Sequence, residues 1–462
     1  MNNNIGRNMK DRLFEALKKA DADYAEIRYE NEDGTNISFR KDEVENAEGS
    51  SFCGGIVRAC KNGGWGVSVF DSIEGLGHQV REACRCAAIA GHERTELAET
   101  KIVDEERPAV FEKDFRGVTF DEKLKLVKSY NKIILGAGPE IQSSGVSYYD
   151  SMRTVHFANT RGSYFMEARP RITFAYSATA GTGSLIQKAS DNISSKTNYG
   201  VVLCLEDNVK KVAERAIALL KAPKCDGGAH TVILNRRLGG VFVHEAFGHL
   251  SEADFIYENP KMRELMVPGK KMGVEKLNIF DDGSFRAAAG TISFDDEGTP
   301  AGKNCLIRNG VLAGHLHSLE TAAKMGAKPT GNARAVRRFN SPIVRMTNTY
   351  IENGDMPIEE LFAGVDDGIY ACDAFGGQTM FEMFTFSAAY GYRIRNGKIG
   401  ELVRDVVLTG NVFEILNNID GIANDFEMLS GAGGCGKGGQ FPLPVGFGAP
   451  HIRIRNVVVG GK

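Results

Sequence analysis

Three features of the 462-residue chain point to an α+β fold in two sequential lobes. The first half mixes segments of helical period with segments of strict alternation. The second half is poorer in helix and reads as short strands punctuated by glycine, of which the chain has 54. Between them, Ala222-Pro223-Lys224 ends a helix, because proline has no N–H with which to continue the ladder. The boundary is therefore expected near residue 223, giving an N-terminal α+β domain over 1–222 and a C-terminal β-rich domain over 223–462. With 42% apolar residues the chain can bury a full core, and its length suits two or three domains of about 150 residues.

Ile5, Met9, Leu13, Ala16 and Leu17 form an apolar helical stripe. Tyr24 to Tyr29 alternates as a strand, Asp33-Gly34 reads as a hairpin turn, and Asn36 to Arg40 returns as a second strand. Cys53 to Cys60 and Trp65 to Phe70 make another strand pair around Asn62-Gly63-Gly64. Helical period resumes over Ile73 to Ala90 and Phe120 to Leu135, on either side of a Glu-rich connector from His92 to Glu112. Short strands with Gly and Ser turns run from Ser144 to Leu205. Asp207 to Lys221 is a helix with Val209, Val212, Ala213, Ala216, Ile217 and Leu220 inward. Further strands are expected at Thr231 to Leu234, Ile292 to Phe294, Ile343 to Met346, Tyr390 to Ile394, Leu402 to Leu408 and Ile452 to Val459.

Composition excludes several classes of function. Fifty-six Lys and Arg against 59 Asp and Glu leave a net charge of −3, whereas a general nucleic-acid binder needs a basic surface that displaces counterions. No window approaches the ~18 consecutive apolar residues of a bilayer helix, so no membrane partner is expected. Arg7, Lys10, Asp11, Arg12 and Glu15 interrupt any apolar run at the start, against a secretory signal. Nine dispersed cysteines with no CxxC pair fit reduced thiols in a cytoplasm. Gly431 to Gly439 lacks the Lys-Ser/Thr ending of a phosphate loop.

The most informative segment is His244-Glu245-Ala246-Phe247-Gly248-His249. Imidazole nitrogen is a good zinc ligand, and an adjacent carboxylate can serve as base toward water. Metallopeptidase histidines usually stand four apart, on one helix face. Here they stand five apart, which a regular helix turns into a separation of about 140°. One turn widened to π geometry realigns them, and Gly248 tolerates the distortion. Without such a turn the segment is a helix with one buried and one exposed histidine. Ser251-Glu252-Ala253-Asp254 follows, with carboxylates placed to orient a ligand histidine, cap a helix end or face solvent.

A catalytic zinc takes three protein ligands and keeps one position open. Cys435, alone among the glycines of Gly431 to Gly439, is the natural third candidate, since such a loop can present a thiolate into a cleft. Glu359 or Glu360 competes with it. A His-Glu-x-x-Gly-His segment with a downstream Glu-Glu pair resembles dipeptidyl peptidase III enzymes, although Pro357 to Phe362 also reads as an ordinary helix start.

The second half as a whole resembles the TldD/PmbA family of metallopeptidases, in its TldD-like, metal-bearing branch. The likeness continues through His317 to Ala323, Thr330 to Arg334, Arg345 to Tyr350, Gly376-Gly377-Gln378, Cys435 to Gln440 and the final strand from Pro450. In the first half it is more diffuse, at Gly54-Gly55 and Gly63 to Val67. The resemblance implies a zinc-dependent peptidase acting on unfolded or extended polypeptides. His244, His249 and Cys435 would be ligands, and Glu245 the base that activates a zinc-bound water. It also implies a homodimer or a heterodimer with a PmbA-like subunit. A non-hydrolytic peptide-binding or assembly subunit is the alternative. His315, His317, Arg334, Lys437 and Tyr350 are the candidate oxyanion donors. After Gln378, the stretch Thr379 to Met383 is more apolar than the family pattern.

Overall fold

Residues up to Ser195 build one large sheet. The structure, a computed structural model, describes residues 2–91, 96–431 and 433–460; the side chains of residues 2–8 and of Met380 lie outside the description. In chain order the elements are α1 (Asn2–Leu17), β1 (Tyr24–Arg40), β2 (Glu43–Lys61), β3 (Gly64–Phe70), α2 (Leu76–Ala90), β4 (Asp104–Arg107), α3 (Phe120–Leu135), β5 (Ile141–Asn159), β6 (Tyr164–Thr182), β7 (Leu185–Ser195) and α4 (Glu206–Lys221). The strand order is β3-β2-β1-β5-β6-β4 with β7 also on β6, and only β4 runs parallel to its neighbour.

Local chemistry explains most of these elements. Met9, Leu13, Ala16 and Leu17 bury the stripe of α1, while Ile5 falls outside the described side chains. Thr119 and Glu122 close a capping box on α3. On α4, Val209, Val212, Ala213 and Ala216 are buried, with Ile217 and Leu220 half-buried beside them. Asn62 and Gly63, at φ 49° and 80°, make the turn between β2 and β3. The connector from His92 is described from Glu96 onward and contains β4.

Three expectations are corrected. Asp33-Gly34 is not a turn: β1 runs straight through it, with Gly34 opposite Ser50 on one side and Ser151 on the other. Neither residue has the positive φ of a two-residue hairpin loop. Glycine is needed there because a Cβ would stand 2.9 Å from the Asp150 carbonyl oxygen. The chain reverses instead after Arg40, where Lys41 has φ 53°. Ile292 to Phe294 forms only an isolated bridge, between Phe294 and Pro300. Leu402 to Leu408 is broken into Lys398–Val403 and Val407–Asn411, with Asp405 at φ 59° between them.

Alternation along the strands gives the sheet two different faces. Ile27, Ile37, Phe39, Tyr148, Ile172 and Phe174 lie under the helices. The opposite face carries Arg28, Glu30, Arg58, Arg153 and Arg169, and it meets the second half through Asp296 and Glu297.

The second half contains a closed ring. β8 (Gly228–Leu234) pairs with Asp367–Met380 and Ile452–Gly460; Val407–Asn411 joins the latter to Met383–Arg395, which closes on Asp367–Met380. A second, six-stranded sheet includes Ile279–Asp282, Asn348–Ile351 and Gly446–Ala449. Helix α5 (Arg236–Val243) packs against strands of both and leads into the histidine segment.

Candidate metal centre

Asn235 starts α5, its side-chain oxygen accepting from Leu238 N at 2.8 Å. Gly239 and Gly240 let the helix approach the six-stranded sheet: a Cβ on Gly240 would stand 2.8 Å from the Phe447 ring. Phe242 anchors the other side, edge-on to Phe384 with ring centroids 5.7 Å apart. The helix then widens into a π turn over His244–Gly248. That turn removes the angular divergence of a five-residue spacing and brings the two imidazole centroids to 5.3 Å, with their planes at 80°. Gly248 has to be small, because a Cβ there would fall 2.0 Å from Met346 Sδ.

Cys435 arrives from a distant hairpin in which Cys435–Lys437 pairs with Gln440–Leu443. Its Sγ lies 3.3 Å from His249 Nε2, and the donor atoms of His244, His249 and Cys435 all lie within 4.8 Å of one another. Burial alone would raise the Cys435 thiol, but His244 and His249 outweigh it and pull the pKa down to about 4. The sulfur is thus a thiolate at neutral pH, the form that binds metals. His244 Nδ1 is buried with no hydrogen-bond partner among the described residues. Two imidazoles, one of them with an unsatisfied buried nitrogen, and one thiolate form a donor set that fits zinc.

Glu252 holds the second histidine in place. It is 1% exposed, and its Oε2 stands 3.0 Å from His249 Nδ1 and 3.0 Å from Lys437 Nζ. Burial would lift this carboxyl, yet His249 and Lys437 keep it below its usual range. Burial likewise lowers His249, but Glu252 and Cys435 outweigh it and raise the ring well above its ordinary pKa. Half-buried Glu245 brings its carboxylate to 3.8 Å from His249 Nε2.

Three family descriptions match the chain in order: the PmbA/TldA metallopeptidase domain 1 over residues 25–88, the central domain over 113–221 and the C-terminal domain over 227–461. The chain belongs to the PmbA/TldD family of metallopeptidases. A metalloprotease of Synechocystis sp. is 43% identical over 96% of both chains. A zinc metalloprotease TldD homolog of Saccharolobus solfataricus is 30% identical, covering 97% of this chain and 100% of the relative. TldE from Thermococcus kodakarensis shares the fold at a TM-score of 0.76 and 18% identity, over 98% of this chain and 100% of that one. In this PmbA/TldD chain the first two matched segments share one sheet, β1–β3 coming from one and β5–β7 from the other.

The other predicted residues lie apart from the cluster or are already engaged. Glu359 and Glu360 are exposed in the first turn of Ile358–Ala363 and do not join the donor set. His315 and His317 are buried with rings 6.1 Å apart, and burial lowers His317 to about 4. Arg334 donates to the Met346 and Pro444 carbonyls. Tyr350 packs among the rings of Phe280, Phe285 and Phe426. Lys437 is taken by Glu252, Asp254 and the Val344 carbonyl. The apolar stretch after Gln378 is a hairpin tip, where Phe381 lies against Phe255.

Proposed function

We propose that this chain is a zinc-dependent peptidase that hydrolyses peptide bonds in unfolded or extended polypeptides. The observation that carries this reading is the convergence of His244, His249 and Cys435 beside Glu245. Zinc held by these three residues would supply Lewis acidity toward water and the scissile carbonyl. Glu245 takes a proton from the attacking water and delivers it to the leaving amine. Glu252 fixes His249 through Nδ1, which leaves Nε2 directed at the sulfur side of the cluster. The name of the Saccharolobus relative supports zinc as the ion.

The Cys435 hairpin supports a preference for extended substrate. It is a two-stranded sheet with no further strand partner among the described residues, so a peptide can add to its edge through backbone hydrogen bonds. The working unit in this reading is a dimer, with an identical or a PmbA-like chain. The nine free cysteines suit a reducing cytoplasm.

The test is elemental analysis combined with mass mapping of products from an unfolded peptide library. Wild-type protein should carry one zinc per chain and cleave. Glu245→Gln should keep its zinc and lose at least about 100-fold in rate. Zinc-loaded wild-type protein that binds unfolded peptide and never cleaves it would establish the non-hydrolytic subunit instead.

A further inference from the structure

The sheet face that the helices leave uncovered meets the second half across a cleft of about 840 Å³. Charge in this cleft is out of balance. Its carboxylates are engaged: Asp296 with Arg169 at 2.8 Å, Asp191 with Arg237 at 2.8 Å, Glu45 with Arg40, and Glu32 with the Tyr149 hydroxyl at 2.8 Å. Lys188, Lys196, Arg334 and Arg337 also line the cleft, and none has a carboxylate partner among the described residues.

Two of these cations are held by neutral acceptors. Lys196 donates to the Thr291 carbonyl. Arg334 is 5% exposed and donates to Met346 O at 2.5 Å and Pro444 O at 2.8 Å. Burial lowers Lys196 to about 8 and Arg334 to about 10; the attraction of Glu167 for the first and Asp296 for the second, neither within ion-pair distance, offsets this only in part, and Arg169 repels both. Desolvated cations with no carboxylate in contact are unfavourable, and an anionic ligand that pairs with them relieves this. The molecule as a whole carries a net −3, so this positive cleft is a local feature.

The cleft reaches the hairpin that carries Cys435. Its wall includes Leu443, directly opposite Cys435 in the hairpin, and Gly433, whose carbonyl accepts from Arg171 at 2.9 Å. Met346, whose carbonyl Arg334 holds, packs onto Gly248 of the π turn. We propose that this cleft is a carboxylate-binding subsite for the peptide substrate, its charge supplied by Lys196, Arg334 and Arg337. The inference rests on the peptidase reading above and names its substrate class: extended peptides bearing a carboxylate, at the C-terminus or on an acidic side chain.

Fluorescence anisotropy on the full chain carrying Glu245→Gln tests it without turnover. Three labelled disordered peptides are compared: a free acid without acidic residues, its C-terminal amide, and the amide with one glutamate introduced. At least one carboxylate form should bind about tenfold tighter than the plain amide, and which one does so identifies the source. Lys196→Gln and Arg337→Gln should each cut that preference to about threefold or less; exposed Arg337 keeps the test valid if Lys196→Gln fails to fold. Equal binding of all three peptides, absence of binding, or a preference surviving both substitutions would overturn the subsite. Cleavage is read separately on the wild-type chain. Binding with the expected preference alongside a wild type that never cleaves would remove the peptidase reading and leave the subsite standing.

Discussion

Glu252 makes the most of its position. It is buried between His249 Nδ1 and Lys437 Nζ, each 3.0 Å away, and so fixes both the orientation and the tautomer of the His249 ring. The sequence offered this carboxylate for orienting a histidine, capping a helix or facing solvent. The structure places it on the histidine, and its side chain makes no capping bond to the helix it precedes. Glu252→Gln should weaken zinc binding roughly 10- to 100-fold in competition with a chromophoric chelator. Unchanged affinity would mean that Glu252 serves only to neutralise Lys437. His244, Glu245 and His249 stand in one short motif and Cys435 in a glycine-rich loop, so each could be named from its local sequence, although the meeting of Cys435 with His249 spans 186 residues. The Lys437 contacts carry no such local mark and depend only on how two segments 183 residues apart meet.

Among elements, the π turn is the one whose need could be derived from spacing alone. A five-residue spacing does not suit two histidines that converge from a regular helix, and the widened turn over His244–Gly248 resolves the mismatch. Gly248→Ala tests how tightly it is built, because the added methyl would meet Met346 Sδ. Overpacking of this kind should lower stability by about 1–3 kcal/mol in urea unfolding and reduce zinc occupancy. Pairing it with Met346→Ala should recover the zinc occupancy even though the double variant stays less stable. A single Gly248→Ala variant with full zinc would show that the turn flexes freely. Helices α3 and α4 and the Asn62-Gly63 turn were legible for the same reason as the π turn: each is specified by neighbours a few residues away. Asp33-Gly34 misled because long-range pairing with β2 and β5 overrode a local turn signal.

At the scale of the whole molecule, the two halves are joined by charge as well as by packing. Phe294 stacks on Phe165 at 4.9 Å, and beside it Asp296 accepts from Arg169 at 2.8 Å while Glu297 accepts from Arg58 at 3.0 Å. Asp296 also takes the Ala335 N–H at 2.7 Å. Burial pushes the Asp296 carboxyl up, but Arg169, Arg28 and Arg153 outweigh it and hold it well below its usual range. A depressed carboxylate contributes stability that is complete above its unfolded pKa of about 4 and lost as pH falls below it. Asp296→Asn removes that charge while leaving the guanidiniums buried, and its amide group presents a donor where donors already point. The expected cost is about 3–5 kcal/mol at pH 7, read by chemical denaturation, because breaking a buried pair strands its partner. The gap between wild type and variant should stay constant from pH 7 to about 5 and narrow below pH 4. A gap that widens on acidification, or a cost under about 1 kcal/mol at pH 7, would show that the halves are held by their apolar contacts alone.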